Sequence, residues 1–191
     1  MRALALAAAL LLGPSLLASQ VAVHVSLGAR TSGALVHDSI VTAFDVRPAL
    51  APAVSAGVEL PGHRGWAAGA ALDYSRSDVP ELGDVGALSF MVSLRRELPA
   101  GLGVRLTAGG LKYFSARDAG VFRGGTGAPF PLLGVALDWA PPNIRSRGFV
   151  VEVRADAHRF ITQALRDEGF DEHRLVPRVA VAIRADLARL W

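Results

Sequence analysis

Apolar and polar residues alternate one by one along most of this chain, the period of a strand whose two faces meet different surroundings. Residues 21–30 set Val21, Val23, Val25, Leu27 and Ala29 against Ala22, His24, Ser26, Gly28 and Arg30. The same alternation runs through 49–60, 65–75, 87–98, 102–114, 131–139, 149–160 and 176–191, and helical spacing is hard to find between them. The pattern predicts eight strands. Their connections alternate as well. Short, breaker-rich turns at 61–64, 99–101 and 141–143 are interleaved with longer segments at 31–48, 76–86, 115–130 and 161–175. Such an order places every second hairpin at the same end of an antiparallel sheet. Strands of roughly ten residues also have the length that a tilted strand needs to cross a bilayer. The expected fold class is therefore all-β, an eight-stranded antiparallel up-and-down transmembrane β-barrel.

At 191 residues the chain suits one domain. Residues 1–20 stand apart. Arg2, an apolar run over 3–12, Gly13-Pro14 and a small-residue exit around Ala18 have the three parts of a secretory signal, with the exact cleavage position left open by the bulk of Leu16. The expected organisation is a signal peptide at 1–20 and a barrel domain at 21–191, exported through the periplasm to the outer membrane. There are no cysteines, which removes disulfide scaffolds and Cys-based zinc sites from consideration. The charge of +3 comes from arginines scattered near acids, with Lys112 the only lysine. A nucleic-acid binder would gather its basic residues on one face, so no nucleic-acid partner is expected.

Alternation alone does not say which stripe faces inward, because a soluble barrel would turn the apolar one to its own core. The polar stripe is rich in Gly, Ala, Ser and charged residues, as a narrow lumen would require. Trp66, Trp139, Phe149 and Trp191 all fall at one rim of the expected barrel, an aromatic girdle of the kind found at a membrane interface, with Tyr74 and Phe114 toward the other rim. The apolar stripe is thus expected to face lipid. The polar stripe then carries Arg30, Arg95, Arg105, Arg154, Arg178 and Arg184 together with Glu59, Asp73, Glu97, Asp138, Glu152, Asp156 and Asp186. Charges removed from bulk water have to be paired, so these residues are expected to form an ion-pair network that fills the lumen. If the last hairpin is symmetric about its loop, Arg184 and Glu152 stand opposite each other.

Over residues 21–191 this combination of strand number, loop alternation, girdle and terminal aromatic resembles the small eight-stranded outer-membrane β-barrels of the OmpA/OmpX type. The resemblance implies that Trp191, preceded at two-residue steps by Leu187, Ala185 and Ile183, is read by the barrel-assembly machinery. Arg189 departs from the apolar residue usual at its step.

Catalytic and metal signals are sparse. His24, His37, His63, His158 and His173 form no close ligand pair, and neither a metal nor a cofactor is expected. His24 and Ser26 share a face, the spacing that an activated nucleophile would need, yet no further motif accompanies them. Residues 123–127 (Arg-Gly-Gly-Thr-Gly) lack the Gly-Lys-Ser/Thr of a phosphate loop. The charged segment 161–174 suits a short surface helix or a contact to lipopolysaccharide. Membrane lipid, lipopolysaccharide and the assembly machinery are the candidate partners. The expected function is non-enzymatic, a structural or loop-mediated interaction role. Two alternatives stand beside it: an outer-membrane lipid-modifying enzyme, and a soluble periplasmic lipocalin-like barrel for a small apolar ligand.

Overall fold

The computed structural model describes residues 21–38, 44–79, 82–141, 148–169 and 174–187. Eight long strands, β1 (Ala22–Ser32), β4 (Ala51–Pro61), β5 (Trp66–Val79), β6 (Gly83–Glu97), β7 (Leu102–Ser115), β8 (Phe130–Trp139), β9 (Phe149–Phe160) and β10 (Arg174–Asp186), form the wall. Each pairs antiparallel with its neighbours in sequence, and β1 closes the barrel by pairing with both β4 and β10. Closure removes the edge strands, whose unpaired N–H and C=O groups could not be satisfied in lipid. A small hairpin, β2 (Val36–Asp38) with β3 (Phe44–Val46), occupies the first long connection, and a short helix, α1 (Gln163–Asp167), the last.

Two of the short turns share one local solution. Arg64 and Gly65 have φ of 55° and 78°, and Ala100 and Gly101 have φ of 61° and 73°. A pair of left-handed residues turns the chain in the sense that the right-handed twist of the flanking strands demands. Backbone bonds from Gly62 N to Trp66 O (2.7 Å) and from Leu98 N to Leu102 O (2.8 Å) close the two turns.

The strands differ from the sequence expectation chiefly at the external end. Segment 76–86, expected to be a loop, is mostly ladder, since Arg76 pairs with Gly86 and the pairing continues to Val79 with Gly83. Cross-strand hydrogen bonding carries the strands beyond the point where alternation fades. The last strand starts at Arg174 rather than 176 and runs to Asp186. Trp191 and Arg189, the signal segment 1–20, and parts of the connections 141–143 and 161–175 lie outside the described residues.

The outer wall is the apolar stripe. Leu27, Leu72, Phe90, Val92, Leu94, Leu106, Leu133, Leu137, Val181 and Ile183 are all exposed. An exposed apolar area this continuous is incompatible with a water-facing surface. The soluble lipocalin-like alternative requires the opposite orientation and is therefore excluded.

The interior holds a second departure. The inward stripe is polar in the part nearer the short turns, but toward the external mouth its own phase continues with Leu111 and Tyr113 on β7, Phe160 on β9 and Val176 on β10. These pack with Leu35, Val36 and Val46 from the first external connection, Leu82 from the second, Val121 and Phe122 from the third, and Leu165 from the fourth. All four external connections thus share one apolar cap with the barrel mouth. Thr162 binds two of them together: its hydroxyl donates to Val121 O at 2.6 Å and accepts from Leu165 N at 3.4 Å as the N-cap of α1.

Candidate functional site

Most inward positions at mid-barrel carry polar side chains because an eight-stranded lumen has room for side chains and little else. Five arginines (Arg30, Arg105, Arg154, Arg178 and Arg184) and five carboxylates (Glu59, Asp73, Asp138, Glu152 and Asp156) are buried there. Arg95 and Asp186 are partly buried, and Glu97 is exposed at the short-turn rim.

These groups meet in two layers. In the layer nearer the short turns, Arg105 sits at the centre of three acids: Nη1 donates to Glu152 Oε2 at 2.6 Å, and Nη2 to Glu59 Oε1 at 2.8 Å and Asp138 Oδ2 at 3.2 Å. Arg95 Nε donates to Asp138 at 2.6 Å. Arg184 Nη1 reaches Glu59 and Asp138, each at 3.4 Å, and its Nε lies 3.2 Å from Asp186. In the layer nearer the external mouth, Asp73 accepts from both Arg30 and Arg154, the Arg30 Nη2 bond measuring 2.9 Å. Asp156 accepts from Arg178 Nε at 2.6 Å and lies 3.9 Å from Arg154 Nε.

One expected pairing is corrected. Arg184 does not face Glu152, because the β9–β10 register sets Ala182 against Glu152 and Arg184 against Val150. The last hairpin is not symmetric about its loop, and Arg105 on β7, two strands from β9, takes Glu152 instead. The residues gathered by the structure come from β1, β4, β5, β6, β7, β8, β9 and β10, so alternation could put them on the inner face but could not choose their partners.

Of the histidine candidates, His24 and His158 are buried in the barrel, and His173 lies outside the described residues. Ser26 is hydrogen-bonded to Ser55, its neighbour in the β1–β4 ladder. His158 is buried, with Nε2 3.1 Å from Tyr113 Oη inside a cluster that includes Phe130 and Phe160. In segment 123–127, Gly124 N is taken by Asp118 Oδ1 at 2.6 Å and the glycines face open space, the geometry of an exposed loop. Among the described residues, no three His, Asp or Glu side chains gather as metal ligands.

On the outer wall, Trp66, Trp139 and Phe149 are exposed and stand at the same rim. Trp66 begins β5 opposite Arg96, Trp139 ends β8 opposite Leu102, and Phe149 begins β9 opposite Ala185. The Arg96 guanidinium lies 5.2 Å from the Trp66 ring centre and donates to Arg64 O, a polar fringe below the apolar belt.

A closed barrel with lipid-facing apolar walls and one such rim has close structural counterparts. The crystal structure of Ail, the attachment invasion locus protein of Yersinia pestis, superposes with a TM-score of 0.52 at 12% identity over 87% of this chain and 98% of that one. The chain has the fold of a small eight-stranded outer-membrane β-barrel. The barrel matches Ail in complex with the heparin analogue sucrose octasulfate equally well, with a TM-score of 0.52 at 11% identity over the same shares of the two chains. Neisserial surface protein A covers 87% of the barrel's chain and 96% of its own, at 13% identity and a TM-score of 0.46. No family model and no curated protein matches the sequence. The likeness therefore lies in the fold, and the barrel's role has to be argued from its own interior and loops.

Proposed function

We propose that this barrel is a sealed, non-enzymatic platform of the outer membrane, which presents its external connections for contact at the cell surface. The observation that carries this reading is the state of the lumen. Two layers of buried ion pairs block it at mid-depth, and an apolar cap built from all four external connections closes its mouth. A barrel filled in this way has no aqueous path for solutes. Groups suited to acid–base or nucleophilic chemistry are enclosed too: His24, His158 and Tyr113 are all buried. The cap, by contrast, is a folded external surface held rigid by its shared core, as a contact surface requires.

Purified barrel in planar lipid bilayers is expected to pass no sustained current, and phospholipid or lipopolysaccharide incubated with it is expected to keep its mass unchanged. A steady ion conductance would overturn the sealed lumen. Acyl release or transfer detected by mass spectrometry would overturn the non-enzymatic role and favour the lipid-modifying alternative.

A further inference from the structure

The two charged layers are not balanced individually. Nearer the short turns, Arg95, Arg105 and Arg184 meet Glu59, Asp138, Glu152 and Asp186, one acid more than base. Nearer the external mouth, Arg30, Arg154 and Arg178 share only Asp73 and Asp156, one base more than acid. Among the described residues, no ion pair joins the two layers. The upper layer therefore buries a positive charge with no carboxylate of its own, an arrangement that low-polarity surroundings penalise strongly.

The surplus can be located. Arg178, only 2% exposed, donates through Nε to Asp156 at 2.6 Å and through Nη2 to Ser89 at 3.3 Å, while its Nη1 has no partner among the described residues. Arg30 Nε is likewise unpartnered. Both arginines line a cavity of about 20 Å³, together with Ser32, Ser75, Ser77 and Tyr113. Among the described residues, the lining offers two guanidinium groups and four hydroxyls, and no carboxylate. Its volume exceeds the ~10–15 Å³ that one water-sized occupant needs. Water there would satisfy a donor but leave the charge uncompensated.

We propose that this cavity binds one small monovalent anion of halide size, chloride being the simplest, which neutralises the upper layer. Polyatomic anions such as gluconate or sulfate are too large for the space.

Crystals of the barrel soaked in bromide are expected to show one anomalous peak in contact with Arg178 Nη1. In detergent, the melting temperature is expected to rise by about 3–6 °C for each tenfold increase in chloride or bromide above the dissociation constant, and not to rise in sodium gluconate of equal ionic strength. Ser77→Asp, which tethers a carboxylate in the cavity, should melt higher in gluconate and lose the halide response, and Ser77→Asn should keep that response. If Ser77→Asp fails to fold, the bromide map and the wild-type titration decide the matter by themselves. A cavity without bromide density, or equal stability in chloride and gluconate, would overturn the proposal.

Discussion

Arg105 shows what a single side chain does inside this lumen. Its guanidinium touches carboxylates from three other strands, so its removal strands Glu152 and leaves Glu59 and Asp138 to the weaker 3.4 Å contacts of Arg184 and, for Asp138, to Arg95. Breaking a buried pair by deleting one partner typically costs about 3–5 kcal/mol. Arg105→Ala is expected to lose at least that much in urea unfolding from lipid vesicles. A double-mutant cycle gives the sharper result: Arg105 with Glu152 should show a coupling of ~1–3 kcal/mol, and Arg184 with Glu152, which do not touch, a clearly smaller one. Equal coupling in the two cycles would contradict the register of β9 and β10. The charged residues themselves were legible in the sequence, because period two assigns each to the inner face. Their partners were not, because pairing across a lumen depends on the stagger of strands that are far apart in the chain. Glu97 shares the inward phase of Arg95 and yet ends exposed at the rim, since alternation gives the face of a residue but not its depth.

Among the elements, the wall strands follow the sequence more closely than the connections do. Leu106 is outward and 60% exposed, while Thr107 beside it is buried inward. Leu106→Arg should destabilise the barrel by ~2–4 kcal/mol, the cost of arginine near mid-bilayer, and folding yield into vesicles measures it directly. Thr107→Ser, which keeps a hydroxyl in the lumen, should cost little. A second element-level test lies at the seam where β1 meets β10. Gly28 pairs with Ala182, and a Cβ at position 28 would fall 2.1 Å from Val181 O and 2.6 Å from Ala182 Cα. Gly28→Ala is expected to impair closure, seen as loss of the compact, heat-modifiable band on gel electrophoresis. The external connections were the least legible part. Alternation in β7 and β9 continues past the charged layers, but nothing in a run such as Leu111, Tyr113 or Phe160 distinguishes a lid over the mouth from ordinary wall. Only the meeting of Val121, Phe122 and Leu165 with those residues reveals the cap.

For the molecule as a whole, cap and lumen act as separate seals. Phe122 is buried beside Tyr113 and Phe160 (ring centres 6.0 and 6.1 Å away), so Phe122→Ala should loosen the cap and speed protease cleavage of segment 115–130. The ion layers below should still hold the bilayer current at baseline, and a conducting Phe122→Ala barrel would show that the cap alone closes the lumen. The way the ion layers are wired has a further consequence, for assembly. Arg184 contacts Glu59, 125 residues earlier, and Arg154 contacts Asp73, 81 residues earlier. A partly formed sheet entering the bilayer would carry these arginines and carboxylates into lipid before their partners arrive, at several kcal/mol each. Half-inserted intermediates are thereby disfavoured, and the chain gains most of its stability only in the step that joins first strand to last. Folding should accordingly be slow and all-or-none, with a transition state in which the cylinder is already nearly shut.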